Sequence, residues 1–485
     1  MIFELYIPWL ICAGFILFFM SVGLFAGRDV DSKSDEFLTA GRRFGPLIVA
    51  LSVVATSTTG FMFVGAVGTG YAQGVSAIWV PAAWLMGEIA FWLVMPVRIY
   101  RESIKRTPLS VPDYISRVIE PSGRRSVQIA AGAVIFIATM PYIIGQNIAA
   151  GKAFASITDV EPRTSVIIAG GFITLIALIY CLRGGLRSSI LTNACQGATI
   201  WFVAVILTGA ITLELAATGD PIGRILASNP KAFDLFAVHP PLLVVFFFLG
   251  GVTAAFGSAL SLPTFLMRLS TIESEAKIDD ARWMTISIGY GFWGLMVVIG
   301  VMLSGVAPSI DDPERSLFEF AENTSPWLLG LALGGVSALI LSTIDGTTLV
   351  GGSALSDDMA NARSAPPVRR RNLRLLGLVA FGGSALGLAV VLSTSSVYDI
   401  VLFGVSALAG GIGPAVLIST LNWPTSASAL VTTILLGMAT AIAWAALGLS
   451  AYVAEALPSF IVGLSVHWLM TRHMPANRAN EEARE

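Results

Sequence analysis

The sequence predicts an all-α membrane protein of about 13 transmembrane helices, with an inverted-repeat (5+5) core inserted N-out/C-in. Three observations carry this. Of 485 residues, 55% are hydrophobic and only 12% charged, where a soluble chain carries about 25% charge. Apolar runs of bilayer length recur from end to end. The basic residues gather on every second connection.

The runs, each of roughly 20 apolar residues, fall near 6–27, 45–71, 76–99, 126–157, 164–182, 190–217 and 241–265. They continue near 283–307, 326–352, 373–394, 397–421, 426–446 and 451–471. The first has no basic residue before it and is too long for a signal segment, so it reads as an uncleaved helix with its N-terminus outside. Arg28 to Arg43, Arg98 to Arg125, Arg183 with Arg187, Arg268 to Arg282, Arg363 to Arg374 and the C-terminal arginines then share one side. They make up 24 of the 29 Lys and Arg, and the positive-inside rule places them in the cytoplasm. The opposite side carries the acidic loop Asp311, Asp312, Glu314, Glu319 and Glu322.

Residues 1–44 form the first helix and a connector, and 45–421 the core, with repeats at 45–217 and 241–421. Two added helices occupy 426–471, and 472–485 is a charged tail with no soluble domain attached. The predicted location is the cell (inner) membrane, multi-pass. The partners are a small-molecule solute and the lipid bilayer; nothing points to nucleic acid, and the oligomeric state stays open. Three cysteines and three histidines make no disulfide or metal pattern.

Two hydroxyl-rich patches interrupt the apolar runs: Ala55-Thr56-Ser57-Thr58-Thr59-Gly60 and Ser342-Thr343-Ile344-Asp345-Gly346-Thr347-Thr348. Irregular or polar backbone at membrane depth is tolerated only where it lines a cavity or binds something. Hydroxyl and carbonyl oxygens with one carboxylate suit a small hard cation such as Na⁺, by analogy with Ca²⁺ and Mg²⁺. The break at 55–60 has a counterpart at Ala254–Pro263, five runs later, and broken helices at matching places point to an inverted-repeat transporter. A pump and an enzyme are disfavoured, since no nucleotide loop and no nucleophile or metal cluster occurs.

Several short motifs carry a resemblance to the sodium:solute symporter family, in its proline and pantothenate/monocarboxylate branches. They are Ser34-Asp35-Glu36-Phe37-Leu38-Thr39-Ala40-Gly41-Arg42, Ser110-Val111-Pro112-Asp113-Tyr114-Ile115, Arg183-Gly184-Gly185-Leu186-Arg187 with Gln196-Gly197, and Pro263 with Arg268. The last is Ser342-Thr343, followed by Gly352-Ser353-Ala354-Leu355-Ser356-Asp357-Asp358. The resemblance runs from about 34 to 420 and implies Na⁺-coupled import of a small organic solute by alternating access. It implies a Na⁺ site made by the carbonyls of Ala55, Thr58 and Leu339 and the hydroxyls of Ser342 and Thr343. The alternative for each hydroxyl is a bond back to its own helix.

The solute is expected against the breaks of the second and seventh runs. Tyr142, Gln146 and Asn147 offer it an aromatic face and amides, and Tyr142 matches a substrate-facing position of the proline branch. Two aromatics of that branch are replaced here by Ala255 and Ala259, which argues against proline itself; Phe256 compensates in part. Relatives with a second Na⁺ build it from serines on the ninth run and an Asp on the sixth. Here those positions hold Asp345, Gly346 and Asn193, so Asp345 with Asn193 is read as a second site for Na⁺ or H⁺.

Glu88 is costly in lipid, about 2.5–3.5 kcal/mol on insertion scales, and must face protein, as a hydrogen-bonded group or a proton relay. Lys152 is expected to snorkel outward, and Arg268 to complement a helix dipole. The competing function is a membrane sensor, since similar transport cores feed histidine kinases; the absence of a kinase domain after Glu485 argues against it.

Overall fold

A computed structural model describes residues 2–28, 30, 36–40, 44–155, 158, 160–238 and 240–474. Lys33, Ser34, Asp35, Gly41, Arg42, Arg43, His239 and the tail from residue 475 lie outside the described residues. Most of the described residues are helical, and one isolated parallel bridge pairs Phe44 and Ile272. Fifteen helices frame the core. They are α1 Ile2–Ala26, α2 Pro46–Ser57, α3 Val67–Gln73, α4 Trp79–Val94, α5 Pro121–Ala155, α6 Gly171–Ala217, α7 Pro241–Ser261 and α8 Pro263–Leu269. After these come α9 Ile278–Val306, α10 Pro326–Ser353, α11 Pro367–Val391, α12 Val397–Gly411, α13 Gly413–Thr420, α14 Ala427–Ala446 and α15 Ala456–Thr471.

Proline opens α2, α5, α7, α8, α10 and α11, at the position where a missing N–H costs nothing and the fixed φ suits a helix. Serine hydroxyls cap others: Ser325 accepts from Trp327 N–H at 3.3 Å, and Ser426 from Ala429 N–H at 3.2 Å. Among the described residues, ten continuous helical runs are long and apolar enough to cross a membrane by length and composition. The run Pro162–Ala217 is 56 residues long, or about 84 Å at the helical rise, far beyond a bilayer of about 30 Å. Non-helical Gly185 (φ +52°, ψ −139°) divides it. A Cβ there would sit 2.2 Å from the Phe37 carbonyl, so only glycine fits. The connection expected around 183–189 is therefore a single residue within continuous helical backbone.

Helix α10 is the hub. Its most apolar window is 89% buried, against 22% for α1 at the periphery. It packs on α6, α1 and α5, and the break after α2 faces its middle. Helix α7 likewise stops at Ser261, and Leu262 (ψ 106°) leaves the helical region before Pro263 starts α8. The Phe44–Ile272 bridge ties the entry of α2 to the exit of α8.

Ion clusters close the two ends. Lys152 does not snorkel: its Nζ lies 2.9 Å from Asp312 and 2.6 Å from Glu314. At the other end Asp113 pairs with Arg117 at 2.9 Å and Arg363 at 3.0 Å, and Ser110 Oγ donates to Asp358 at 2.6 Å. Two of the sequence motifs, 110–115 and 352–358, thus meet there. Asp357 pairs with buried Arg374 at 3.0 Å.

Candidate functional site

The α2 break follows from its hydroxyls. Thr56 donates to the Ser52 carbonyl at 2.8 Å, Ser57 to Val53 at 2.8 Å, and Thr58 to Val54. Such back-bonds bend helices, and the backbone leaves the helix at Thr58 (φ −81°, ψ 81°). Gln146 holds the break open: its Oε1 accepts from Gly60 N–H at 2.7 Å, while its Nε2 donates to the Tyr142 carbonyl at 3.2 Å. A Cβ at Gly60 would meet that oxygen at 2.6 Å and Ile340 at 2.7 Å.

Across the break stands α10. The Ser342 hydroxyl lies 2.7 Å from both the Ala55 and the Leu339 carbonyls, and Thr343 donates to Leu339 at 3.0 Å. A hydroxyl owns one proton and serves one acceptor at a time. Four of the five expected Na⁺ ligands therefore form one buried cluster richer in oxygen than in protons. Thr58, the fifth, sits at the end of α2.

One turn along α10, Asp345 is fully buried. Its Oδ2 accepts from the Tyr180 hydroxyl at 2.9 Å, and its Oδ1 from Ser189 at 3.0 Å and Asn193 Nδ2 at 3.3 Å. Asn193 also donates to Thr56 Oγ1 at 2.9 Å and the Ser342 carbonyl at 3.3 Å, while its own Oδ1 finds no partner among the described residues. Asp345 is not the lone carboxylate expected from the sequence. Arg268 is wholly buried and donates to Ser189 at 2.8 Å, Ser52 at 2.8 Å and the Thr264 carbonyl at 2.8 Å. The Pro263 break redirects α8 inward, so this side chain reaches the core instead of a helix end.

A narrow cavity of about 40 Å³ lies beside the break, lined by Ser57, Thr59, Trp84, Glu88, Tyr142 and Ala259 among others. A second void of about 30 Å³ shares Ser57, Trp84, Glu88 and Trp293 with it and reaches Thr58 and Tyr290. The other four residues expected at the solute lie outside this lining. Ala255 packs on α4, where a Cβ at Gly87 would meet it at 2.6 Å, and Phe256 turns to Phe460 at 6.4 Å between centroids. Asn147 joins α5 to α6, accepting from Thr174 at 2.9 Å and donating to Ile143 at 2.9 Å. Gln146 serves the break. The sequence reading missed Trp84, Trp293, Tyr180 and Ser189; Trp84 and Glu88, one helical turn apart, were the available signal.

The family model of the sodium:solute symporters matches residues 37–437. The chain belongs to the sodium:solute symporter family. It is 26% identical over 464 residues to the high-affinity proline transporter PutP of Bacillus subtilis, covering 91% of this chain and 93% of that one. The osmoregulated proline transporter OpuE of the same organism is 24% identical over 461 residues, covering 91% and 90%. A substrate-bound, outward-open Na⁺-coupled sialic acid symporter aligns with TM-score 0.75 and 16% identity, covering 97% and 99%. A nucleobase-cation-symport-1 transporter, Mhp1, aligns at TM-score 0.54 with 11% identity, covering 90% and 95%. At those identities the likeness is one of fold. This symporter is therefore a membrane transporter, not an enzyme, and imports its solute with Na⁺.

Proposed function

We propose that the coupled Na⁺ binds between the α2 break and α10, held by the carbonyls of Ala55, Thr58 and Leu339 and the hydroxyls of Ser342 and Thr343. The observation that carries this is the Ser342 hydroxyl set 2.7 Å from two carbonyls of different helices. A cation there would satisfy oxygens that one proton cannot, and would hold the two helices together. Its departure leaves α2 and α10 joined by one hydroxyl hydrogen bond, a weak link suited to alternating access.

The finer topology is 13 crossings, N-out/C-in, in the cell membrane, with domain limits as read from the sequence. The runs Met62–Val94 and Pro162–Ala217, at 33 and 56 residues, each hold parts of two crossings. Two more apolar helices, Pro46–Ser57 and Ala456–Thr471, complete the set. Single cysteines at Glu322 and Arg371 should label from outside and inside respectively with an impermeant thiol reagent.

A second coupled cation, Na⁺ or H⁺, is assigned to Asp345 and Asn193, supported by the unpartnered Asn193 oxygen. Arg268 competes with it for the same carboxylate. The solute sits in the cavity between Tyr142 and Ala259. One charge crossing ~100 mV releases ~2.3 kcal/mol, and a tenfold gradient adds ~1.4, enough to concentrate a neutral solute a few hundredfold. Uptake into proteoliposomes with and without an inward Na⁺ gradient tests the whole reading. Solute binding without Na⁺-driven flux would instead favour a sensor.

A further inference from the structure

An apolar cavity of about 320 Å³ lies between α1, α5, α10 and the first turns of the Pro162–Ala217 run. Local sequence creates it. On one flank α1 lies tight on α10: a Cβ at Gly334 would meet the Phe15 ring at 2.2 Å, and one at Gly330 would meet Ile11 at 2.8 Å. On the other flank the facing residues are Ala13, Ala150, Ala153 and Ala169, too small to close the gap. An apolar cavity of ~150 Å³ is already enough to bind benzene. One of this size left empty would deprive every wall of packing partners.

The shape of the cavity selects its occupant. It follows α1 from Trp9 to Leu17, or about 12 Å at the helical rise. The hydrocarbon core of a bilayer is about 30 Å thick, so the cavity is close to one leaflet deep, the outer one in the proposed topology. Trp9 and Phe154 close its end with rings edge-on at 5.7 Å. Leu17, Ile168 and Phe172 beside its opening are each about half exposed, and in a membrane transporter that exposure is to lipid. The opening is therefore continuous with the bilayer. Water is not the match, because the Cys12 thiol and the Ser337 hydroxyl in the wall already bond each other at 3.6 Å.

We propose that one acyl chain of a bilayer phospholipid fills this cavity as a resident ligand and braces α10. Leu333, Ser337 and Ile340 line it from one face of α10, spaced four and three residues apart. Ile340 also abuts the α2 break, where a Cβ at Gly60 would meet it at 2.7 Å. A chain in the cavity thus backs Ile340 against the break, two residues before Ser342. The lipid site stands by itself, while its effect on Na⁺ rests on the ion position proposed above.

The test takes the purified full chain, stripped of lipid in detergent, and adds dioleoylphosphatidylglycerol or dioleoylphosphatidylcholine. Native mass spectra should show one phospholipid retained by the wild type with either headgroup. Ala13→Phe and Ala169→Leu, which fill the cavity from different helices, should each lose it, and Leu213→Phe on an exposed stretch of α6 should keep it. Either lipid should raise the wild-type melting temperature. It should also lower the Na⁺ concentration for half-maximal thermal stabilisation at least about fivefold, and neither filled variant should respond. Equal lipid counts in the wild type and both filled variants overturn the proposal, as does a lipid-free wild-type dimer. A lost lipid with an unmoved Na⁺ midpoint overturns the bracing of α10. A wild type that Na⁺ never stabilises refutes the ion position instead, and the lipid count still decides the site.

Discussion

Arg268 and Asp345 are joined through one hydroxyl: Ser189 Oγ accepts from the guanidinium at 2.8 Å and donates to the carboxylate at 3.0 Å. The three residues come from α8, α6 and α10, so the link joins three helices far apart in the sequence. It places a fixed positive charge next to the proposed second cation position.

Removing one member of a buried charge pair leaves the other uncompensated. Asp345→Asn should therefore lower stability by about 3–5 kcal/mol, and Arg268→Met by a similar amount. The double substitution should be milder than the sum of the two. Asn193→Asp with Asp345→Ser, which returns a carboxylate to the same gap, should recover part of the loss. Detergent melts of the purified variants measure this. Additive losses in the double variant would show that the two charges do not interact.

Ser342→Ala removes the hydroxyl between the Ala55 and Leu339 carbonyls, and Thr343→Ala removes its neighbour. Each should raise the Na⁺ concentration for half-maximal uptake, at a cost of about 1–3 kcal/mol, or roughly 5- to 150-fold. Expression should hold, because the helices remain packed. A Na⁺ titration of uptake decides, and an unchanged midpoint in both variants puts the ion elsewhere.

Ala259 and Ala255 should part company. Ala259 lines the cavity, so Ala259→Trp should exclude the solute while Na⁺ still stabilises the protein. Ala255 lies against the α4 backbone at Gly87. Ala255→Trp should act by overpacking, at about 1–3 kcal/mol or more, and lower the melting temperature with or without solute. Equal behaviour of the two would refute this geometry.

The Asp113 cluster carries a pH signature. Burial pushes the Asp113 carboxyl up, but the Arg117 hydrogen bond, the Arg363 charge and the Leu109 N–H outweigh it and hold it below the ordinary carboxylate range. A depressed carboxylate contributes stability that is complete above its unfolded pKa of about 3.9. That contribution is lost as pH falls through the lower folded value. Asp113→Asn should flatten the acid side of a melting-temperature profile and leave neutral pH less stable than wild type. An acid limb identical to wild type would place the titration on other groups.

The sequence by itself determined the helical membrane class, the near-bilayer spacing of the runs and the two broken helices, because burial in lipid demands apolar runs and punishes free backbone groups. It also singled out four residues that the fold gathers around the Ser342 hydroxyl, since hydroxyls at membrane depth stand out against an apolar background. Only the tertiary structure decided the partners of the charges. Arg268 follows a proline break whose exit angle no periodicity encodes, and so reaches Asp345 from a distant segment. Lys152 and Glu314 meet through a loop. Glu88 shares its void walls with Trp84 on α4, Tyr290 and Trp293 on α9 and Ser57 at the end of α2, brought around it by packing. Local pattern records what a residue costs to bury; which neighbour offsets that cost depends on helices hundreds of residues apart.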